Sequence, residues 1–271
     1  MQPRSRDPAA WDSPLTFTRL TPSDERLLRL FVTREAVAPI LSPADLHRRM
    51  APDRRLLALQ DTDGEVLCFV NIALTQRFPE RLSELLTGPI STDRPRLAVF
   101  YSITRVSPRA RGRARALLLQ AAAHIRAEHP DLEALATLSP APGLRRWVEE
   151  LLKLQGHTQV TEMLERVSRQ AGAGLLPAGQ EATLRKLSRF YLMRKTRRGK
   201  PLDPVARFHL GNGATVRDVL VGADCSQSGL RQSLGVMVSY SYSAQPGTPE
   251  PLDALEADAF FDALLRGSPQ S

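Results

Sequence analysis

The stretch "RVSPRARGRARALLLQ", residues 105–120, carries the reading of the fold. Overlapping it on the N-terminal side, "RLAVFYSITRV" (96–106) is rich in β-branched and aromatic residues and predicts a strongly apolar strand. On its C-terminal side, "ARALLLQAAAHIRAEH" (114–129) predicts a helix. Between them lies a turn of small and basic residues with Arg109, Gly112 and Ala114 in the pattern R-x-x-G-x-A. A strand that enters a helix through such a turn leaves several backbone N–H groups aimed at one point. The helix dipole makes that point attractive to anions, and small residues let a pyrophosphate approach the backbone. Arg105, Arg109, Arg111, Arg113 and Arg115 add five positive charges, and the stretch contains no acid. Taken alone, the same pattern describes a solvated basic turn equally well.

Working outward, "RRLLALQ" (54–60) and "EVLCFVNIALT" (65–75) read as paired strands joined by the turn "DTDG". Ahead of them, a helix is expected from Thr21 to about Ala38, capped by Thr21 or Ser23. A second is expected after Ser42–Pro43, with Ser at N-cap and Pro at N1. "FPERLSELL" (78–86) predicts a short helix. Beyond residue 129, "LEALATL" (132–138) predicts a strand and "GLRRWVEELLKL" (143–154) a helix. Residues 156–180 hold few periodic signals. Residues 181–200 predict a basic amphipathic helix ended by Gly199 and Pro201. "DPVARFHLGNGA" (203–214) predicts a short helix entered at Asp203 and Pro204, ending at Gly211, with His209 in its last turn. Strands near 214–222 and at "GVMVSYSY" (235–242) close the pattern. The whole reads as α/β (α+β), one mixed central sheet flanked by helices. The expected organisation is a disordered leader at 1–14, a single catalytic domain at 15–245, and a C-terminal tail with a short helix at 246–271.

Composition narrows the functional classes. With 271 residues, 42% hydrophobic and 24% charged, the chain is long enough to bury a sizeable core. No apolar run reaches the roughly 20 residues of a membrane span, and a cytoplasmic location is expected. Two cysteines, Cys68 and Cys225, and five scattered histidines give neither a disulfide framework nor a metal site. The net charge of +8 could serve nucleic acid, membrane or phosphorylated small molecules. Aromatic residues are only 6% and do not interleave with the basic ones, so neither nucleic acid nor membrane is expected as a partner.

The strand–loop–helix around Gly112 resembles the acyl-CoA pyrophosphate loop of the GNAT fold. The resemblance extends to one group within it, the malonyl-CoA decarboxylase family. It is carried by "EAVAPILSPADLHRRMAPDRRLLAL" (35–59), "LCFVNIALTQRFPERL" (67–82), "AVFYSITR" (98–105) and "LSPAPGLRRW" (138–147). "GKPLDPVARFHLGNGA" (199–214) and "ADCSQSGLRQSLGVMVSYSY" (223–242) complete it. The family's extra helical domain before the catalytic one has no counterpart in the sixteen or so residues ahead of the match, which leaves oligomer formation open. "FVNIAL" carries Asn71 where the family has an acid, the glycine-rich turn has become arginine-rich, and "MVSYSY" carries Ser239 where the family has asparagine.

The resemblance implies removal of CO2 from a malonyl thioester. No metal or redox cofactor is needed, because the thioester carbonyl takes up the electron pair as an enolate. Coenzyme A enters as part of the substrate. A group must then protonate carbon, and histidine is the natural donor at neutral pH. The family's catalytic serine and histidine match Ser139 and His209. Arg109, Arg111, Gly112, Arg113 and Ala114 would hold the CoA phosphates, and Asn212, Ser226 and Tyr242 would line the acyl pocket. From the residues alone, Ser139 reads as a helix cap and His209 as a packed core histidine. The alternatives are a malonyl or methylmalonyl group borne by an acyl carrier protein, and an acyltransferase or acyl-CoA-binding protein that kept the cleft.

Overall fold

The computed structural model describes residues 15–155 and 181–242, apart from 36, 92, 111–113, 195, 197 and 198, together with 162, 165 and 166. The predicted leader (1–14), most of 156–180 and the predicted tail (246–271) lie outside the described residues. The chain divides into two compact units. One comprises residues up to Pro79 and Glu84–Ala136; the other comprises Glu80–Ser83 and residues from Thr137 onward.

The first unit is built on an antiparallel meander. Strands β1 (Thr16–Arg19), β2 (Arg54–Gln60), β3 (Val66–Thr75) and β4 (Leu97–Arg105) lie in chain order, and β5 (Ala134–Thr137) neighbours β4. β2 and β3 are buried along almost their whole length, so their sequences run apolar without alternating. α1 (Glu25–Arg34) and α2 (Pro43–Arg49) cover a cluster of Leu20, Leu28, Phe31, Leu56, Ala58 and Phe69. Phe31 meets Phe69 edge-to-face at 5.4 Å. α1 begins after Asp24, whose carboxylate accepts from the Thr21 N–H and hydroxyl, both at 2.8 Å. The expected caps Thr21 and Ser23 therefore lie three residues and one residue too early, because Asp24 holds the preceding turn closed. Ser42 caps α2 as expected, accepting from Asp45 N–H at 3.2 Å.

A buried polar knot ties this unit together. The Glu35 carboxylate accepts from the backbone of Val37 and Ala38, from Asn71 Nδ2 at 3.2 Å, and from the Ser102 and Thr104 hydroxyls. The amide at position 71 supplies a donor that an ionised acid could not. The short helix predicted at 78–86 is α3 (Leu82–Thr87), and β4 then leads through a short turn at Pro108–Ala110 into α4 (Ala114–Glu128), the strand–loop–helix expected from the sequence.

In the second unit β8 (Met237–Ser241) pairs antiparallel with β7 (Thr215–Leu220) and with the two-residue β6 (Ser139–Pro140). α5 (Leu144–Gln155), α6 (Glu181–Met193), α7 (Pro204–Gly211) and α8 (Gln227–Ser233) belong to it. Leu144, Val148, Leu184, Leu187, Val219, Val236 and Val238 are among its core residues. α6 stops at Met193, short of the predicted Gly199. The run "RKTRRGK" has no apolar face to bury, and the chain instead closes a turn in which Thr196 N–H donates to Lys200 O at 2.7 Å. Among the described residues no helix is long and apolar enough to cross a membrane.

Candidate active site

The sequence of α7 sets the position of its histidine. Asp203 is the N-cap, its Oδ1 accepting from Val205 and Ala206 N–H at 2.9 and 2.8 Å, and Pro204 fixes the first helical φ. The helix ends at Gly211. His209 O then accepts from both Asn212 and Ala214 N–H at 3.1 Å, an arrangement that needs the left-handed φ of +86° at Gly213. His209 thus sits in the last turn with its ring turned inward.

The ring stacks on Tyr240, with centroids 4.3 Å apart, and its Nδ1 lies 2.8 Å from the Tyr242 hydroxyl. Side chains alternate along extended chain, so "SYSY" at the end of β8 turns Tyr240 and, one residue past the strand, Tyr242 to the same side. His209 Nε2 lies 3.0 Å from Ser139 Oγ. Ser139 in turn donates to Thr137 Oγ1 at 3.2 Å, which also accepts the Tyr240 N–H at 3.3 Å.

One consistent placement of protons satisfies these contacts. Ser139 has one hydroxyl proton, and it is directed to Thr137, so Ser139 accepts from Nε2–H. Nδ1 is then the bare nitrogen and accepts the Tyr242 hydroxyl proton. Burial favours this state on both sides. It pushes the imidazole pKa down to about 3 and raises that of the Tyr242 phenol, so both groups are neutral at physiological pH. The sequence argument relied on a histidine titrating near neutrality; burial among Tyr240, Tyr242 and Phe208 removes that condition.

Asp203, at the opposite end of α7, is also deeply buried. Its Oδ2 accepts the Tyr191 hydroxyl at 3.1 Å and lies 3.5 Å from Gly143 N. Burial raises its pKa, against the pull of these hydrogen bonds.

Three of the predicted site residues, Ser139, His209 and Tyr242, are brought together. Ser139 does not cap α5, which starts five residues later at Leu144; its hydroxyl is committed to the histidine corner. Asn212 is the C-cap of α7, and Ser226 is the exposed N-cap of α8, accepting from Gly229 N–H at 3.1 Å. Arg109 is engaged by Asp61, Asp63 and Glu65, acids from the β2–β3 turn that lie far from it in sequence. Arg111, Gly112 and Arg113 lie outside the described residues, and Ala114 opens α4. Thr137 and Tyr240 were missed. The two-residue spacings Thr137–Ser139 and Tyr240–Tyr242 were the available signal.

A neutral imidazole N–H held against a serine hydroxyl can donate a hydrogen bond to a developing oxyanion or a proton to a strongly basic carbon. Among the described residues no group of three or more histidine, cysteine, aspartate or glutamate side chains is arranged to hold a metal ion.

Residues 17–247 match the malonyl-CoA decarboxylase C-terminal domain family. Mitochondrial malonyl-CoA decarboxylase of Rattus norvegicus is 30% identical over 254 residues, covering 82% of this chain and 52% of that protein. The chain thus spans about half the length of the curated relatives it matches. The crystal structure of malonyl-CoA decarboxylase from Agrobacterium vitis superposes with a TM-score of 0.75 at 27% identity, covering 95% of this chain and 65% of that one. At 13% identity and a TM-score of 0.51, the loading GNATL domain of CurA from Lyngbya majuscula shares the fold, covering 85% of this chain and 98% of its own. The architecture is accordingly a mixed α/β GNAT-like fold.

Proposed function

The chain belongs to the malonyl-CoA decarboxylase C-terminal domain family, and from that premise we propose that it converts malonyl-CoA to acetyl-CoA and CO2 without a cofactor. The observation that carries the reading is the 3.0 Å contact between Ser139 Oγ and His209 Nε2. In decarboxylation the Cα–carboxylate bond breaks and its electron pair moves onto the thioester carbonyl. CO2 departs and an enolate remains, which is then protonated at carbon. As the oxyanion forms, the Nε2–H turns to it from Ser139 Oγ and the Ser139 hydroxyl turns to it from Thr137 Oγ1, in a corner with little water to compete. The proton that reaches carbon comes from this pair, with Nε2–H as its source. A thioester enolate is basic enough to take a proton from a neutral imidazole. The Tyr242 hydroxyl donating to Nδ1 stabilises the negative charge the ring takes on as it loses that proton, and solvent restores the proton afterwards.

In the same proposal Arg111, Gly112, Arg113 and Ala114 hold the CoA phosphates, and the setting is cytoplasmic. Incubating the purified protein with malonyl-CoA and measuring acetyl-CoA and CO2 tests the reading. Formation of both in equal amounts supports it. Turnover only of a malonyl group presented on an acyl carrier protein moves the substrate to that carrier, and turnover of neither overturns the decarboxylase reading.

A further inference from the structure

Arg109 was expected among the phosphate ligands, yet its guanidinium is already saturated with acids. Nη1 lies 2.9 Å from Asp61 Oδ2 and 2.8 Å from Glu65 Oε2, and Nη2 lies 2.8 Å from Asp63 Oδ2. One positive charge faces three carboxylates, so the cluster is a net anion beside a loop expected to bind anions. A phosphate approaching Arg109 would meet those acids first.

The acids are themselves held in place. Asp61 Oδ1 accepts from the N–H groups of Asp63 and Glu65 at 3.0 Å, closing the β2–β3 turn, in which Gly64 takes the left-handed φ of +78°. Other links join this hairpin to the start of the anion loop. Val106 and Ser107 N–H donate to Leu67 O at 3.0 and 3.2 Å, and the Ser107 hydroxyl donates to Glu65. The same Ser107 oxygen accepts the Arg109 N–H at 3.0 Å. Arg109 is therefore one arm of a clasp between residues 106–110 and residues 61–67, both within the first unit.

We infer that Arg109 is a positioning residue, acting on bound acyl-CoA through the backbone of residues 106–110 and not by touching a phosphate. The clasp sets where the loop leaves β4 and offsets part of the negative charge of the turn. This inference rests on the proposed acyl-CoA reading.

A double-mutant cycle separates the two roles. Arg109→Ala should raise the KM for malonyl-CoA about tenfold, with a smaller change in kcat. In the Asp61→Asn, Asp63→Asn, Glu65→Gln background the same substitution should change KM less than about twofold, because its partners have lost their charge. The amide that replaces the Asp61 carboxylate keeps the oxygen that caps the turn, so the background is expected to fold. An equal rise in both backgrounds would make Arg109 a direct phosphate ligand and overturn the inference, as would no rise in either. Hydrogen exchange in the free protein gives a readout independent of turnover. Arg109→Ala should speed exchange of the Val106, Ser107 and Ala110 amides, and unchanged exchange there overturns the clasp. If the wild type does not turn over malonyl-CoA, the functional proposal fails while exchange still decides the clasp.

Discussion

The arginine-rich loop of the first unit and the histidine corner of the second use polar side chains in opposite ways. At the loop, Arg109, Asp63 and Glu65 are solvent-facing, Asp61 is buried beneath them, and one guanidinium is shared among the three carboxylates. At the corner, Ser139, His209 and Tyr242 carry no charge and are joined to one another by short buried hydrogen bonds. Exposed charges tolerate displacement and are screened by salt; buried neutral donors lose most of their value if moved by an ångström. The comparison shows that residue type alone does not set chemical state. The arginine that looked free is paired, and the histidine that looked titratable is held neutral.

The largest expected effect is at the corner. His209→Ala should lower turnover of malonyl-CoA by about 10²–10⁴-fold, the range for loss of one acid–base group, with a smaller change in KM. Ser139→Ala should also reduce turnover, and it leaves Nε2–H without a buried acceptor, costing about 1–3 kcal/mol of stability. Steady-state kinetics of both variants, with thermal melts alongside, check this. Activity near wild type in His209→Ala would remove the corner from the mechanism and leave it purely structural.

The neutrality of His209 has a pH signature. In the unfolded chain a histidine takes up its proton near pH 6.5, whereas in the folded protein burial holds this one down to about 3. Between those values the unfolded state binds the extra proton, so acidification favours unfolding. The contribution of His209 is complete above pH 7 and is lost as pH falls, up to roughly 3 kcal/mol by pH 4. Denaturant melts of wild type and His209→Asn from pH 7 to 4 should converge as the wild type weakens. By the same reasoning kcat/KM should show no break attributable to this residue near pH 6.5. A break there that disappears in His209→Asn would show that the ring titrates as an ordinary histidine.

Much of this was legible in the sequence, for identifiable reasons. Long apolar runs and strong caps gave β2, β3, β4, α2, α4 and α7, because burial and capping leave local marks. β1 was missed because it is short and, among the described residues, sits at the end of the strand order beside β2, and β6 because it has two residues. α8 was missed because "QSGLRQS" has no apolar period. Its Gly229 reflects a contact, since a Cβ there would collide with the Asp224 carboxylate. Ser139, His209 and Tyr242 could be named from motifs. Their hydrogen bonds could not, because these form only where β6, the end of β8 and α7 meet in space, 33 to 70 residues apart in the chain. The acids that hold Arg109 were invisible for the same reason: they lie 44 to 48 residues upstream.

The far end of α7 offers a test through packing. An added Cβ at Gly143 would collide with the Tyr191 hydroxyl, the group that donates to Asp203. Gly143→Ala should therefore cost about 1–3 kcal/mol, and adding Tyr191→Phe should recover part of that by vacating the space. Recovery in the double variant, read from denaturant midpoints, would locate the strain at the helix N-cap. Equal loss with and without the tyrosine hydroxyl would place it elsewhere.

The smallest effect expected is the most informative about the corner. Tyr242→Phe removes one hydroxyl and leaves the ring that meets His209 edge-on. Nδ1 then loses its donor, and the preference for the Nε2–H tautomer weakens. If Tyr242 fixes that tautomer, turnover should fall about tenfold while KM is held, since the substrate would be bound as before. The nitrogen chemical shifts of His209 should move toward a tautomer mixture in the same variant, a change that loose packing alone would not produce. A rise in KM with kcat intact would instead assign Tyr242 to substrate binding, as the sequence first suggested. The two outcomes differ in which constant moves, so one kinetic comparison decides between them.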